Sequence, residues 1–195
     1  MKEENSTKEK LILATMQLLE KKDGKQISIR EIAELAGQNS AAISYHFGGK
    51  EKLVEMAMQR HKETLLKIFT DILEEKEMSK EKVGQFATRL VQYLIQYEGA
   101  YRTGRQIEMR NIKEGMESCD REFTGIQMKA LKHMIGLLMP QASEKVVTIK
   151  AVQFFSSLAY PTIYLDMFGV LEQDISVEVF LEQYINQVIE TLFTL

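Results

Sequence analysis

The sequence has little of what secreted, membrane-spanning or disulfide-linked proteins require. It contains a single cysteine, Cys119, so an internal disulfide is excluded and a reducing compartment is favoured. No apolar run approaches the roughly 20 residues that a membrane-spanning helix needs. The first residues also lack the apolar stretch of a signal peptide. We therefore expect a soluble, cytoplasmic protein without a membrane partner.

Motifs of common enzyme classes are absent as well. The sequence has no glycine-rich phosphate loop, no G-x-S-x-G nucleophile motif and no cysteine pair or H-E-x-x-H spacing for zinc. The three histidines, His46, His61 and His133, lie far apart along the chain. We therefore predict that the protein is not an enzyme and that it has no catalytic residues, no metal site and no cofactor.

Proline is scarce too, with only Pro140 and Pro161, and this scarcity favours helices over loops. Apolar residues make up 45% of the sequence, and they recur at spacings of three and four without strand-like alternation. We predict an all-α protein. Its first helix is expected to span about residues 6–22. Gly99 and Gly104 are expected to interrupt the segment that they occupy, and Pro161 is expected to kink or end its helix.

One stretch near the N-terminus has the pattern of two short helices joined at a glycine. Ser28 and Glu31 form a capping box at the start of the first helix, and Gly37 suits the left-handed conformation that ends it. Asn39 or Ser40 can cap the second helix. This pattern predicts a helix-turn-helix, whose second helix is sized to enter the major groove of DNA.

The same stretch resembles the DNA-binding signature of the TetR family of bacterial transcriptional regulators, over roughly residues 6–58. The residues that carry the resemblance stand in a fixed register: Ile32, Ala33, Ala36, Gly37, Ile43, Ser44, Tyr45, His46, Phe47, Lys50, Glu51 and Leu53. The resemblance implies an N-terminal three-helix DNA-binding domain at residues 1–49. It also implies a larger helical effector-binding and dimerisation domain at residues 50–195.

The resemblance further implies which residues meet double-stranded DNA. The expected DNA-binding residues are Arg30, Ser40, Ala41, Ala42, Ser44, Tyr45, His46 and Lys50. Arg30 can grip a guanine with two hydrogen bonds, and alanine methyl groups can contact thymine methyls. The formal net charge is −3, but the segment from Gln38 to Gly49 contains no acid that would repel phosphates. The alternative for Tyr45 and His46 is an aromatic plug between helices.

The middle of the chain is the expected ligand domain, because members of the family typically bind a small molecule there and then release DNA. The candidate pocket residues are Tyr93, Tyr97, Tyr101, Arg102, Arg105, Met109, Met116, Phe123, Met128 and Met134. Methionine adapts to irregular apolar ligands, and arginine can receive an anionic group. The alternative is that these side chains are ordinary core residues and solvated charges.

Two helices, at residues 143–160 and 176–194, are the candidates for a dimer interface. The second is apolar over a very wide arc, which is typical of a helix that packs on two sides. We therefore predict a homodimeric repressor that binds a palindromic operator and is released by a small-molecule effector of unknown identity. Two alternatives stay open. One is a helix-turn-helix regulator controlled by a protein partner or by no effector, and the other is a helical interaction module that does not bind DNA specifically.

Overall fold

The computed structural model of the protein describes residues 2–113, 121–163 and 176–193. In chain order its helices are α1 (Lys2–Leu18), α2 (Ile29–Ala36), α3 (Ala41–Phe47), α4 (Lys50–Leu73), α5 (Lys80–Gln96), α6 (Glu98–Lys113), α7 (Arg121–Leu138), α8 (Glu144–Ile163) and α9 (Val177–Phe193). The predicted all-α class is confirmed over these residues. Among them, no helix combines the length and the apolar character that crossing a bilayer requires.

The chain divides into two compact units. The first unit comprises Met1–Thr64 and Gln96–Cys119, and the second comprises Leu65–Ile95 and Asp120–Leu195. Helix α6 therefore belongs to the same unit as the helix-turn-helix, although α6 begins about fifty residues after α3 ends. The boundary predicted between residues 49 and 50 separates a DNA-binding domain from an effector-binding and dimerisation domain. It is a division by function, and it stays a prediction.

The start and the end of α2 form as the sequence predicts. The backbone amide of Glu31 donates to the Ser28 hydroxyl at 3.2 Å, and the amide of Ser28 donates to the Glu31 carboxylate at 2.9 Å. Gly37 ends the helix in the left-handed region, at φ 62°. The Lys22 ammonium, 2.5 Å away, and the Ser28 donors lower the pKa of Glu31 to about 2. The capping box is therefore confirmed, and it holds its carboxylate ionised.

The core of the first unit is built from apolar residues at helical spacings. Ile43 and Phe47 of α3 point inward, as the sequence pattern predicts, and Leu53 at the start of α4 is fully buried. The larger cluster around them includes Leu11, Ile12, Leu19, Ile27, Ile32, Val54, Ala57 and Met58. Because these side chains come from α1 to α4 and from the segment between α1 and α2, α3 is held by one continuous core.

The first helix differs from the prediction at both ends. α1 begins at Lys2, because the residues before Ser6 include good helix formers that extend the helix past the expected cap. It ends at Leu18, about one turn earlier than predicted. The carbonyl of Leu19 accepts a hydrogen bond at 2.8 Å from the amide of Ala100, in the first turn of α6. The beginning of α6 therefore satisfies a carbonyl at the end of α1.

The predicted interruption at Gly99 and Gly104 is wrong, since α6 runs through both positions. A β-carbon at Gly99 would lie only 2.2 Å from the carbonyl oxygen of Lys22. A β-carbon at Gly104 would lie 3.4 Å from the Met58 side chain, which is an ordinary contact. Gly99 is therefore the position where the lack of a side chain lets α6 approach the end of α1 closely.

The core of the second unit contains a chain of phenylalanine rings. Phe69 packs on Phe86 with ring centroids 5.6 Å apart, Phe86 on Phe154 at 6.4 Å, and Phe154 on Phe193 at 5.6 Å. These rings come from the end of α4, from α5, from α8 and from α9. Aromatic contacts of this kind therefore join four segments that are distant in sequence.

Pro161 does not end α8, which continues to Ile163. Proline has no amide hydrogen, so the carbonyl of Ser157, four residues earlier, loses its usual helical partner. The hydroxyl of Tyr184, on α9, donates to this carbonyl at 2.7 Å. The hydrogen bond that proline removes is thus replaced from a neighbouring helix, which explains why the helix tolerates Pro161.

Candidate functional site

Helix α3 presents one face to solvent and buries the other. Ser40, Ala41, Ser44 and Tyr45 are exposed, whereas Ala42 is half-buried. The helix starts without a side-chain cap from Ser40, and the Asn39 side chain instead accepts from the amide of Ala41 at 2.9 Å. The exposed residues are small except for the tyrosine, so this face can approach another surface closely.

Tyr45 is the most prominent side chain on that face. It is 79% exposed, and its ring meets the ring of His46 edge-on with centroids 4.8 Å apart. An aromatic plug would require the Tyr45 ring to be buried between helices, and the structure places it in solvent. An exposed ring with a hydroxyl at its tip is suited to contact a polar partner.

His46 is half-buried, and its Nδ1 atom is buried without a hydrogen-bond partner among the described residues. Gly48 follows in the left-handed conformation, at φ 75°, and its amide donates to the carbonyl of Ser44 at 3.0 Å. This glycine ends α3 and lets the chain turn directly into α4. Arg30, in the first turn of α2, is exposed as well.

Lys50 is engaged by the loop that precedes α2. Its ammonium donates to the carbonyls of Ile27 at 3.0 Å and Gly24 at 3.2 Å. From α6, the Thr103 hydroxyl accepts from the amide of Gly24 at 2.8 Å and donates to the carbonyl of Gly99 at 2.7 Å. The loop before the helix-turn-helix is therefore held on one side by α4 and on the other by α6.

Sequence reasoning missed this arrangement around Thr103 and Gly24. Both are buried, and a β-carbon at Gly24 would lie 2.9 Å from the Val54 side chain and 3.2 Å from that of Thr103. The only local signal is a threonine in a helix otherwise rich in charged residues, and such a signal does not name its partner. The contact joins positions 79 residues apart in the chain.

The predicted ligand residues fall into both compact units. In the first unit the structure places Tyr97, Tyr101, Arg102, Arg105 and Met109, and in the second it places Tyr93, Phe123, Met128 and Met134. Met116 lies outside the described residues. A ligand site that joins all of these residues stays a prediction.

Individual members of this set have different surroundings. Met134 is fully buried in the core of the second unit. The ring of Tyr97 packs edge-on against His61 with centroids 4.5 Å apart, and Arg102 forms an ion pair with Glu98 at 2.8 Å. Of these residues, Tyr97 and Met134 contribute to packing, which agrees with the alternative that they are core residues.

His61 is buried and lies on the apolar side of α4. Burial lowers its pKa to about 4, because the charged form would lose its hydration, and a hydrogen bond between the ring and the backbone of Met16 opposes this shift. The imidazole is therefore neutral at physiological pH and packs against the Tyr97 ring. Within the described ranges, no group of three or more His, Cys, Asp or Glu side chains is placed to hold a metal ion.

Comparison with known proteins agrees with this geometry. The family model "Bacterial regulatory proteins, tetR family" matches residues 11–57, which include α2, α3 and the start of α4. No curated protein matches the sequence. Among solved structures, a TetR-family transcriptional regulator from Marinobacter aquaeolei VT8 superposes with a TM-score of 0.71 at 20% identity, covering 95% of this chain and 88% of that one.

Two further solved structures have similar folds. A TetR-family transcriptional regulator from Mesorhizobium loti aligns with a TM-score of 0.68 at 18% identity, over 97% of this chain and 96% of its own. A gamma-butyrolactone receptor, described as an ArpA-like protein, aligns with a TM-score of 0.53 at 16% identity, over 96% and 99%. The N-terminal segment therefore matches the tetR-family DNA-binding model, and the described chain has the fold of solved TetR-family transcriptional regulators.

Proposed function

We propose that the protein is a cytoplasmic, homodimeric repressor that reads a palindromic operator with α3 and is released by a small-molecule effector. The observation that carries this proposal is the solvent-facing side of α3, where small residues flank an aromatic ring that is 79% exposed. Ile43 and Phe47 pack the opposite side of α3 into the core, and a site on a well-packed helix suits a partner of fixed shape such as duplex DNA.

The contacts of this face with DNA follow from its chemistry. We assign Ser40, Ala41, Ala42 and Ser44 to base edges in the major groove, with the alanine methyl groups against thymine methyls. Tyr45 reaches the phosphate backbone with its hydroxyl and the base edges beside it with its ring. His46 is proposed as a DNA contact next to Tyr45. Two cations, Arg30 and Lys50, complete the set of proposed DNA contacts.

The two cations are assigned to different tasks. Arg30 is exposed, and its guanidinium can bind guanine with two hydrogen bonds. Lys50 is proposed as a phosphate contact, although its ammonium also donates to the loop carbonyls of Gly24 and Ile27. An ammonium has three donors, so a phosphate contact would either add to these two hydrogen bonds or compete with them.

The homodimer is proposed to form through α8 and α9. Four large apolar side chains of α8 are exposed, namely Val146, Ile149, Val152 and Tyr160, and Val179 of α9 is exposed as well. An apolar strip of this kind on one helix is typical of a surface that a partner covers. Two α3 helices in one dimer would meet two half-sites about one helical turn apart.

The effector is proposed to act by a population shift. A ligand that favours a spacing of the two α3 helices out of phase with successive major grooves would lower operator affinity. The ligand residues predicted from the sequence remain the proposed contacts. The similarity in fold to a gamma-butyrolactone receptor supports a small organic molecule as the effector class.

The proposal is tested by selecting genomic fragments with the purified protein, at a low and a moderate salt concentration. Wild type is expected to enrich a palindromic fragment, Tyr45→Ala to lose the enrichment, and Leu13→Ala to keep it. Leu13 is a suitable control because it is an exposed apolar residue of the same unit outside α3. Equal enrichment by wild type and Tyr45→Ala would show that α3 is not the reading helix.

A further inference from the structure

A groove of about 600 Å³ lies within the first unit, between the start of α4 and the C-terminal half of α6. One part of its wall is apolar and consists of Val54, Ile107 and Met109. Met109 is 51% exposed, so its side chain is accessible to a ligand in the groove. The volume lies within the range of about 300–1,000 Å³ that is typical of small-molecule sites.

The remaining wall carries an excess of positive charge. Lys25, Arg110 and Lys113 line the groove, and among the described residues none of the three forms an ion pair. Two carboxylates, Glu51 and Glu55, line it too, and Glu55 is already paired with a lysine of its own helix at 2.9 Å. With Lys50 included, the described lining carries four cations and two carboxylates, so an anionic head group fits this groove.

We propose that this groove binds an aliphatic monoanion, a carboxylate that carries a flexible alkyl chain. The chain lies along Val54, Ile107 and Met109, and the carboxylate is held by Arg110 and Lys113. A guanidinium binds a carboxylate through two parallel hydrogen bonds, which gives the head group both affinity and orientation. None of the described residues that line the groove is aromatic, so they offer no ring on which a flat ligand could stack, and an alkyl body is favoured.

The position of the groove gives its occupant a route to the helix-turn-helix. The groove is also lined by Lys50, Gly24 and Thr103. The hydrogen bonds among these three residues hold the loop before α2 in place. An anion in the groove attracts the Lys50 ammonium and so competes with the carbonyls of Gly24 and Ile27. We infer that binding loosens this loop and weakens DNA binding, a consequence that rests on the proposed function.

The binding step is tested by titrating sodium decanoate into the full-length protein in a calorimeter. Wild type is expected to show saturable binding at one site per chain. The double variant Arg110→Gln/Lys113→Gln is expected to bind about tenfold more weakly or worse, because it loses two charge-assisted contacts. Lys21→Gln is the control, since this exposed lysine belongs to the same unit and lies outside the groove. No saturable binding to wild type, or equal binding by the double variant, would overturn the proposal.

A second measurement locates the ligand. The sequence contains no tryptophan, so a single introduced indole gives an unambiguous fluorescence signal. Decanoate is expected to shift the emission of Gln106→Trp, whose side chain lines the groove, and to leave that of Lys21→Trp, at an exposed position outside the groove, unchanged. Equal shifts in both variants would indicate detergent-like binding over the surface and would overturn the assignment of the site.

The regulatory step is tested separately on a DNA fragment that wild type selects. Decanoate is expected to lower the DNA affinity of wild type and to have little effect on Arg110→Gln/Lys113→Gln. Unchanged affinity of wild type at saturating decanoate would overturn the coupling to the loop. Failure of wild type to select any fragment would contradict the proposed function, while calorimetry and fluorescence decide the binding site without DNA.

Discussion

Replacing Gly99 by alanine tests whether α6 packs closely on the end of α1 within the first unit, which contains the helix-turn-helix. A β-carbon at this position would lie 2.2 Å from the carbonyl oxygen of Lys22 and 2.7 Å from that of Leu19. Both oxygens belong to the backbone, so no side-chain rotation can relieve the overlap. The start of α6 would have to move away from the end of α1 by about 1 Å to reach an ordinary contact distance.

The expected cost follows from two contributions. Such a shift would lengthen the hydrogen bond from the amide of Ala100 to the carbonyl of Leu19, now 2.8 Å, beyond a useful distance. Leaving a buried carbonyl unpaired costs about 1–3 kcal/mol, and overpacking costs about 1–3 kcal/mol more. Alanine regains about 1 kcal/mol in helix propensity. We therefore expect Gly99→Ala to lower the free energy of unfolding by about 1–5 kcal/mol.

The assay is urea denaturation followed by far-ultraviolet circular dichroism. Gly125→Ala is the matched control, because Gly125 lies within α7 and a β-carbon there would meet no atom within 4 Å. This control is expected to raise the free energy of unfolding by up to about 1 kcal/mol. A Gly99→Ala variant as stable as wild type, beside a control that behaves as expected, would refute the close packing of α6 on α1.

Three further predictions concern single groups. Tyr184→Phe should cost about 1 kcal/mol in thermal denaturation, because the Ser157 carbonyl loses its donor; in a Pro161→Ala background the loss should be smaller, since alanine supplies an amide. As pH falls from about 6.5 through 4, the unfolded chain protonates His61 before the folded protein does. Stability should therefore decrease by up to about 3 kcal/mol relative to His61→Leu, which lacks this titration. Ser28→Ala should lower the midpoint of thermal unfolding, because losing the α2 cap costs about 1 kcal/mol.

Each of these has a clear contrary result. An equal loss from Tyr184→Phe in both backgrounds would show that the hydroxyl does not replace the bond removed by Pro161. Identical pH profiles for wild type and His61→Leu would contradict the lowered pKa of the buried imidazole. An unchanged thermal midpoint for Ser28→Ala would mean that the α2 cap contributes nothing measurable to the folded state.

The sequence predicted best where the signal is local. The capping box at Ser28 and Glu31 and the left-handed Gly37 depend on neighbours within one or two turns, and all three formed as predicted. Gly99 was misread as a helix breaker, because its meaning depends on Lys22, a contact 77 residues away in the chain. A pattern within one helix cannot reveal a partner that only the fold brings near.

The candidate site shows the same division between local and tertiary information. The exposure of Tyr45 follows from helical spacing, since Ile43 and Phe47 occupy the buried face of α3. The hydrogen bonds from Lys50 to the loop carbonyls could not be predicted. Every residue type has a backbone carbonyl, so the sequence contains no signal for such an acceptor. Nor could spacing assign Met109 and Met134 to different compact units.

The most direct test of the central claim compares DNA affinities of wild type and Tyr45→Ala. Each is titrated with the selected palindromic fragment and with a version in which one half-site is scrambled, at two salt concentrations. We predict that wild type prefers the intact palindrome by at least about tenfold and that Tyr45→Ala loses most of this preference. We also predict that the variant keeps much of its salt dependence, because other phosphate contacts remain. An unchanged preference in the variant would contradict the assignment of α3 as the helix that reads DNA.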